Sequence, residues 1–236
     1  MVIFTISYVL FCSCGEDCVV GRSNYTFEVT IAGEARKAII VRPVNECLRA
    51  PILFIFHGRG GTAKNSQAYY QFHNIDFLDH MYIVYTEGTN YDNGPDGTNG
   101  WVIRFPHIST ECVNKNKDID YIQAIIDHLA LDDKADIESM GAFGFSNGGF
   151  FTLSLAALQP NTFKGFASLG SYTSYAPSSS LIDCNNSYEN AIDKSQAAVM
   201  NASIRPKPVP TLYIFGNADS TLHGSVPSVY IPDCTK

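Results

Sequence analysis

The order of apolar and polar positions changes period along the chain. Residues 26–33 and 35–43 alternate, which predicts two paired strands with Gly33 and Glu34 as the turn between them. Residues 52–56, ILFIF, form a continuous apolar run ending at His57-Gly58, the pattern of a strand buried on both faces. Residues 64–80 read as a helix and residues 82–85, YIVY, as another short buried strand. Residues 88–100 are rich in Gly, Asn, Asp and Pro and read as a loop. Ile119, Ile122, Ile125, Ile126 and Leu129 recur at helical spacing and predict a helix over residues 118–131. Residues 141–145 predict a short strand running into Asn147-Gly148-Gly149 and an apolar helix. Residues 166–169 and 211–215 predict two further strands, separated by a polar stretch, 176–207, that reads as a surface insertion. Strands alternating with helices imply one mostly parallel sheet covered on both faces. Chemistry-bearing residues are then expected where strands end.

Three motifs stand at such ends. Gly144-Phe145-Ser146-Asn147-Gly148 is a G-x-S-x-G between a strand and an apolar helix. A serine on so tight a turn needs glycines two positions either side, and the helix N-terminus favours negative charge beside its hydroxyl. The bland alternative is a glycine-rich turn with an idle serine. His57-Gly58-Arg59-Gly60-Gly61 follows a buried strand. Acyl transfer builds an oxyanion that needs preplaced N–H donors. The backbone of Asn147 is one expected donor and that of Arg59 or Gly60 the other. A phosphate-binding reading fails because the G-K-[ST] ending is absent. The third motif places Asp219 after the strand at 211–215, where an acid would orient a histidine. His223 is the sole histidine after Ser146 and therefore the candidate base. Its closeness to Asp219 also fits a plain loop residue, because a helix and a strand usually separate acid from base.

Other readings are weaker. No H-E-x-x-H occurs and the cysteines are dispersed, so no metal or cofactor is expected. Residues 92–97, DNGPDG, lack the third-position ligand and closing Glu of a calcium loop and read as an active-site loop. Trp101, the single tryptophan, follows that loop and reads either as a substrate-stacking ring or as core. His57 is expected to pack beneath the oxyanion loop rather than carry protons.

Composition bounds the rest. The 236 residues fit one domain, and 45% apolar with 17% charged residues is the balance of a globular protein. A net charge of −7 argues against nucleic acid as a partner. No membrane span is expected, since no apolar run of about 20 residues follows the N-terminus. MVIFTISYVLF followed by small residues suits a signal peptide over residues 1–14, against a reading as a buried first strand. Export would suit Cys18, Cys47, Cys112, Cys184 and Cys234 as disulfide candidates, and glycosylation sequons at Asn24, Asn185 and Asn201.

Taken in order, HGRGGT, Trp101, DIDYIQAIIDHL, GFSNGGF and FGNAD resemble secreted feruloyl esterases and polyhydroxybutyrate-depolymerase-like esterases, the carbohydrate esterase family 1 type of α/β-hydrolase. The resemblance runs from about Tyr25 to Asp219. It implies an α/β-hydrolase domain over residues 15–236, with Ser146 as nucleophile and Asp219 as acid. It also implies hydrolysis of esters, on acylated or feruloylated plant-wall polysaccharide or on short polyesters, in an extracellular setting. The family's catalytic histidine and closing elements find no counterpart after Asp219, so the final strand and helix are expected to be missing. The rival expectations are an inactive truncated or degenerate chain, either a fragment or a carbohydrate-binding relative, and a peptidase or lipase on the same scaffold.

Overall fold

The computed structural model describes residues 21–45, 49–90, 98–101, 117–159, 161–171 and 210–214. The signal-peptide expectation for residues 1–14, the five cysteines, Asn185, Asn201, Asp219, His223 and the 92–97 and 176–207 loops lie outside these residues.

In chain order, β1 (Asn24–Ile31) and β2 (Glu34–Val41) form an antiparallel hairpin. Its turn is Ala32-Gly33, at φ 49° and 84°, one residue earlier than expected. A two-residue hairpin turn of this kind needs positive φ at both positions, and Gly33 supplies the easier of the two. Then come β3 (Ala50–Phe56), α1 (Ala63–Tyr70) and β4 (Tyr82–Thr86). The helix expected over 64–80 stops early: Gln71 takes φ 50°, and two 3-10 turns, Phe72–Asn74 and Asp76–Leu78, replace the rest. Two short segments, β5 (Thr89–Asn90) and β6 (Asn99–Gly100), pair antiparallel at the two ends of the 88–100 loop. The remaining elements are α2 (Lys117–Leu129), β7 (Ala135–Phe145), α3 (Asn147–Leu158), β8 (Gly165–Leu169) and β9 (Thr211–Ile214). β7 starts well before the expected Gly141, because its polar first half pairs at Ala50↔Ala135 before a register shift.

Among the described residues, seven strands make one sheet in the order β1-β2-β4-β3-β7-β8-β9. Every pairing from β4 to β9 is parallel, and the β1-β2-β4 end is antiparallel. Side chains alternate across a strand, so β3 feeds two cores. Phe54 and Phe56 join Tyr121, Ile122 and Ile125 of α2 and Phe151 of α3 on one face. Ile55 joins Ile83, Tyr85, Ala63 and Leu78 on the other. Each such ring or branched chain, fully buried, contributes roughly 1.5–3 kcal/mol. At the start of α2, Asp118 accepts from the Arg36 guanidinium of β2 at 2.8 Å, both side chains 1% exposed. The Tyr121 ring lies 4.1 Å beneath that guanidinium.

β3 and β7 are neighbours in register, with Phe56 opposite Gly144. The two turns that leave them therefore emerge side by side at one edge of the sheet.

Candidate active site

The turn after β7 is built around one strained residue. Ser146 sits at φ 51°, ψ −118°, a region that costs a non-glycine residue roughly 1–3 kcal/mol. Its N–H donates to the Leu169 carbonyl of β8 at 2.8 Å, and its own carbonyl accepts from Phe150 N–H at 3.0 Å, opening α3. Its hydroxyl makes no capping bond to the helix. The flanking glycines are steric necessities. A Cβ on Gly144 would meet the Gly148 carbonyl and Thr152 Oγ1, and one on Gly148 would meet the carbonyls of Phe56 and His57, all well inside contact distance. The same lack of side chains lets the elbow press against the end of β3.

The turn after β3 is fixed from below by His57, which is 2% exposed. Its Nδ1 lies 2.7 Å from the Gly58 carbonyl, and its Nε2 accepts from Gly88 N–H at 2.9 Å. That pattern requires the neutral Nδ1–H tautomer. Burial lowers the His57 pKa, with smaller opposing contributions from Gly58 and Glu87. The imidazole is thus a neutral strut with both nitrogens engaged. Gly61 lies against this ring closely enough to exclude any side chain.

The structure corrects two expectations for site residues. The Gly60 N–H donates to the Asn99 carbonyl at 2.7 Å, which commits it away from an oxyanion. Its neighbour Arg59 donates Nε–H to Thr98 Oγ1 at 3.2 Å. Trp101 is not a substrate platform either. It is 0% exposed, stacks on Phe151 at 5.0 Å, meets Phe56 edge-on and donates Nε1–H to the His57 carbonyl at 2.9 Å. The indole needs a partner for its N–H when buried, and β3 provides it. The Asn147 side chain, 2% exposed, meets the Trp101 backbone, a contact that pattern reading could not find.

A cleft of about 530 Å³ opens beside the elbow. Tyr69 and Tyr70 of α1, Phe145, and the His57–Gly61 turn line it. Burial pushes the Tyr70 phenol to about 12, so it stays a neutral donor at any physiological pH. Sequence reading missed this cleft because its lining comes from α1, the β3 turn and Phe145, which only the tertiary fold brings together. Among the described residues no cluster of His, Cys, Asp or Glu could hold a metal, and no helix is long and apolar enough to cross a membrane.

Similarity to known proteins agrees with this geometry. NocK of Nocardia uniformis subsp. tsuyamanensis, which carries an esterase designation, is 26% identical over 170 residues, 72% of this chain. The chain spans 40% of that relative's length. Among solved structures, an S-formylglutathione hydrolase from Agrobacterium tumefaciens superposes with TM-score 0.60 at 15% identity, covering 85% of this chain and 77% of its own. The apoenzyme of S-formylglutathione hydrolase from Staphylococcus aureus does so with TM-score 0.57 at 13% identity, covering 83% and 80%. These likenesses establish the α/β-hydrolase fold. Residues 105–228, more than half the chain and including the Ser146 elbow, match the prolyl oligopeptidase family, peptidase S9; the chain belongs to that family.

Proposed function

We propose that this chain is a serine-dependent hydrolase of carboxylic esters, with Ser146 as nucleophile. The observation that carries the reading is the Ser146 backbone: a hydroxyl residue directly before a helix, held at positive φ and not used as a cap. Strain of that kind persists where the surroundings over-determine it.

Ser146 Oγ attacks the ester carbonyl while a base accepts its proton. The backbone N–H groups of Asn147 and Arg59 receive the oxyanion, and the N-terminus of α3 adds its positive end. The alkoxide leaves with a proton from the base, and water then releases the acid from the acyl-enzyme. Asp219 and His223, outside the described residues, are the acid and base that the sequence offers; the family match runs through both. The aromatic cleft supports a planar acyl group of the feruloyl kind, and the resemblance of GFSNGGF and FGNAD to feruloyl esterases supports a plant-wall polysaccharide as its carrier. Rings lining a pocket suit an aryl ester better than a small aliphatic one. Polyhydroxyalkanoate or short-chain esters are the alternative acyl groups, and an inactive, carbohydrate-binding relative is the alternative without turnover. We place the protein outside the cell on the apolar run at residues 1–11 and on the exposed sequon at Asn24. The family's peptidase designation favours a second reading, amide hydrolysis by the same serine.

Turnover of p-nitrophenyl acetate, methyl ferulate and a peptide p-nitroanilide separates these readings. Ester hydrolysis with the highest kcat/KM on methyl ferulate, abolished in Ser146→Ala, is the expected result. Anilide cleavage without ester turnover would replace the esterase reading by the peptidase one. Ester turnover that survives Ser146→Ala would remove the nucleophile assignment.

A further inference from the structure

The two proposed oxyanion donors sit on different strand ends. Arg59 follows β3 and Asn147 follows β7, and the ladder between those strands has its last pair at Phe56↔Gly144. Beyond that rung the elbow packs on the end of β3 through Gly148, and any further link between the two turns adds to what sets their spacing. Donors must lie about 2.7–3.1 Å from the developing oxyanion, so that spacing matters to a few tenths of an ångström.

Residues 98–101 make such a bridge. Toward the β3 turn, Asn99 O accepts from Gly60 N–H at 2.7 Å, Thr98 Oγ1 accepts from Arg59 Nε at 3.2 Å, and Trp101 Nε1 donates to His57 O at 2.9 Å. Toward the elbow, the Asn147 side chain receives Trp101 N–H on Oδ1 at 2.7 Å and returns Nδ2–H toward Trp101 O at 3.4 Å. One amide side chain thereby does what a neighbouring strand would do, donating to and accepting from the same residue. Trp101 and Asn147 are both buried, and the indole is clamped between Phe56 and Phe151. Water does not replace bonds at such depth, so their geometry is held.

We infer that Asn147 and Trp101 are positioning residues, which through the 98–101 segment help set the distance between the amides of Asn147 and Arg59. The inference rests on the hydrolase reading for its catalytic consequence, but the mechanical coupling it asserts can be measured without turnover.

The test uses Asn147→Ala, Asn147→Asp and Trp101→Phe in the full chain. Kinetics on p-nitrophenyl acetate are normalised to active sites titrated with a fluorophosphonate, and amide hydrogen exchange is followed at residues 57–61. Asn147→Ala is expected to lower kcat by about 10- to 100-fold with KM held within about twofold, because misplaced donors weaken the transition state and not ground-state binding. Exchange at the Gly60 amide is expected to quicken, although the substitution lies on the other strand. Trp101→Phe keeps the stacked ring, loses the indole N–H and should give a smaller change of the same kind. Asn147→Asp keeps the acceptor for Trp101 N–H and should restore slow exchange at Gly60. Unchanged kcat per titrated site together with unchanged exchange at Gly60 would overturn the inference. If Asn147→Ala does not fold, Trp101→Phe decides by the same two readouts. A wild-type protein that turns over no ester fails the hydrolase reading alone, and exchange at Gly60 then decides the bridge by itself.

Discussion

Two strand-to-helix junctions lie side by side at one edge of the sheet, and they treat a hydroxyl residue in opposite ways. Between β3 and α1, Thr62 is extended at φ −139°, ψ 165°, and its Oγ1 accepts from Asn65 N–H at 3.0 Å. That is an ordinary N-cap, contributing about 1 kcal/mol. Between β7 and α3, Ser146 holds the equivalent place at φ 51°, ψ −118° and makes no cap. One junction uses its hydroxyl to finish a helix. The other forgoes that bond and accepts backbone strain, with Gly144 and Gly148 packed closely enough to keep it there. On the proposed hydrolase reading, the first residue serves the fold and the second is served by it.

Substitutions at the two junctions sharpen this contrast. The largest effect belongs to Ser146→Ala, which should lower ester kcat by about 10⁴-fold or more, read by steady-state kinetics, with little change in melting temperature. Next, Gly148→Ala drives a methyl group into the carbonyls that end β3 and should cost roughly 3 kcal/mol in urea denaturation, with loss of activity. Thr62→Ala removes the relaxed cap and should cost about 1 kcal/mol in the same assay. If Thr62→Ala cost as much as Gly148→Ala, the two junctions would not differ as described.

The smallest effect is a pH dependence from His57 beneath the Thr62 junction. Burial lowers its pKa in the folded state, so below about pH 6.5 the unfolded chain binds a proton that the folded chain does not. Its contribution to stability is therefore present above about pH 6.5 and is lost as pH falls toward the folded-state value. Melting temperatures from pH 7.5 to 5.5 should fall less steeply in His57→Gln than in the parent chain. His73, also lowered by burial, supplies a background common to both.

Much of the fold was legible because burial writes itself into local pattern. The ILFIF and YIVY runs became β3 and β4, and the isoleucines at helical spacing became the buried face of α2. G-x-S-x-G announced the elbow, since its two glycines answer to close backbone contacts. What local pattern missed was decided elsewhere. The polar segment before Gly141 joins β7 because β3 offers it a partner, not because of its own composition. The helix after Thr62 ends at a left-handed glutamine, Gln71, where neither glycine nor proline gave warning. Trp101 sits in the core because Phe56, Phe151 and the His57 carbonyl converge on it from distant parts of the chain. Gly60 lost its expected role to a carbonyl on residue 99, a tertiary contact that no spacing rule encodes.

The central claim is that the strained junction exists to present one reactive hydroxyl. Treating the full chain with a fluorophosphonate and mapping the adduct by peptide mass spectrometry tests it most directly. The account predicts a single covalent adduct on Ser146 that is absent from Ser146→Ala. Labelling at another serine, or equal labelling of both proteins, would contradict it.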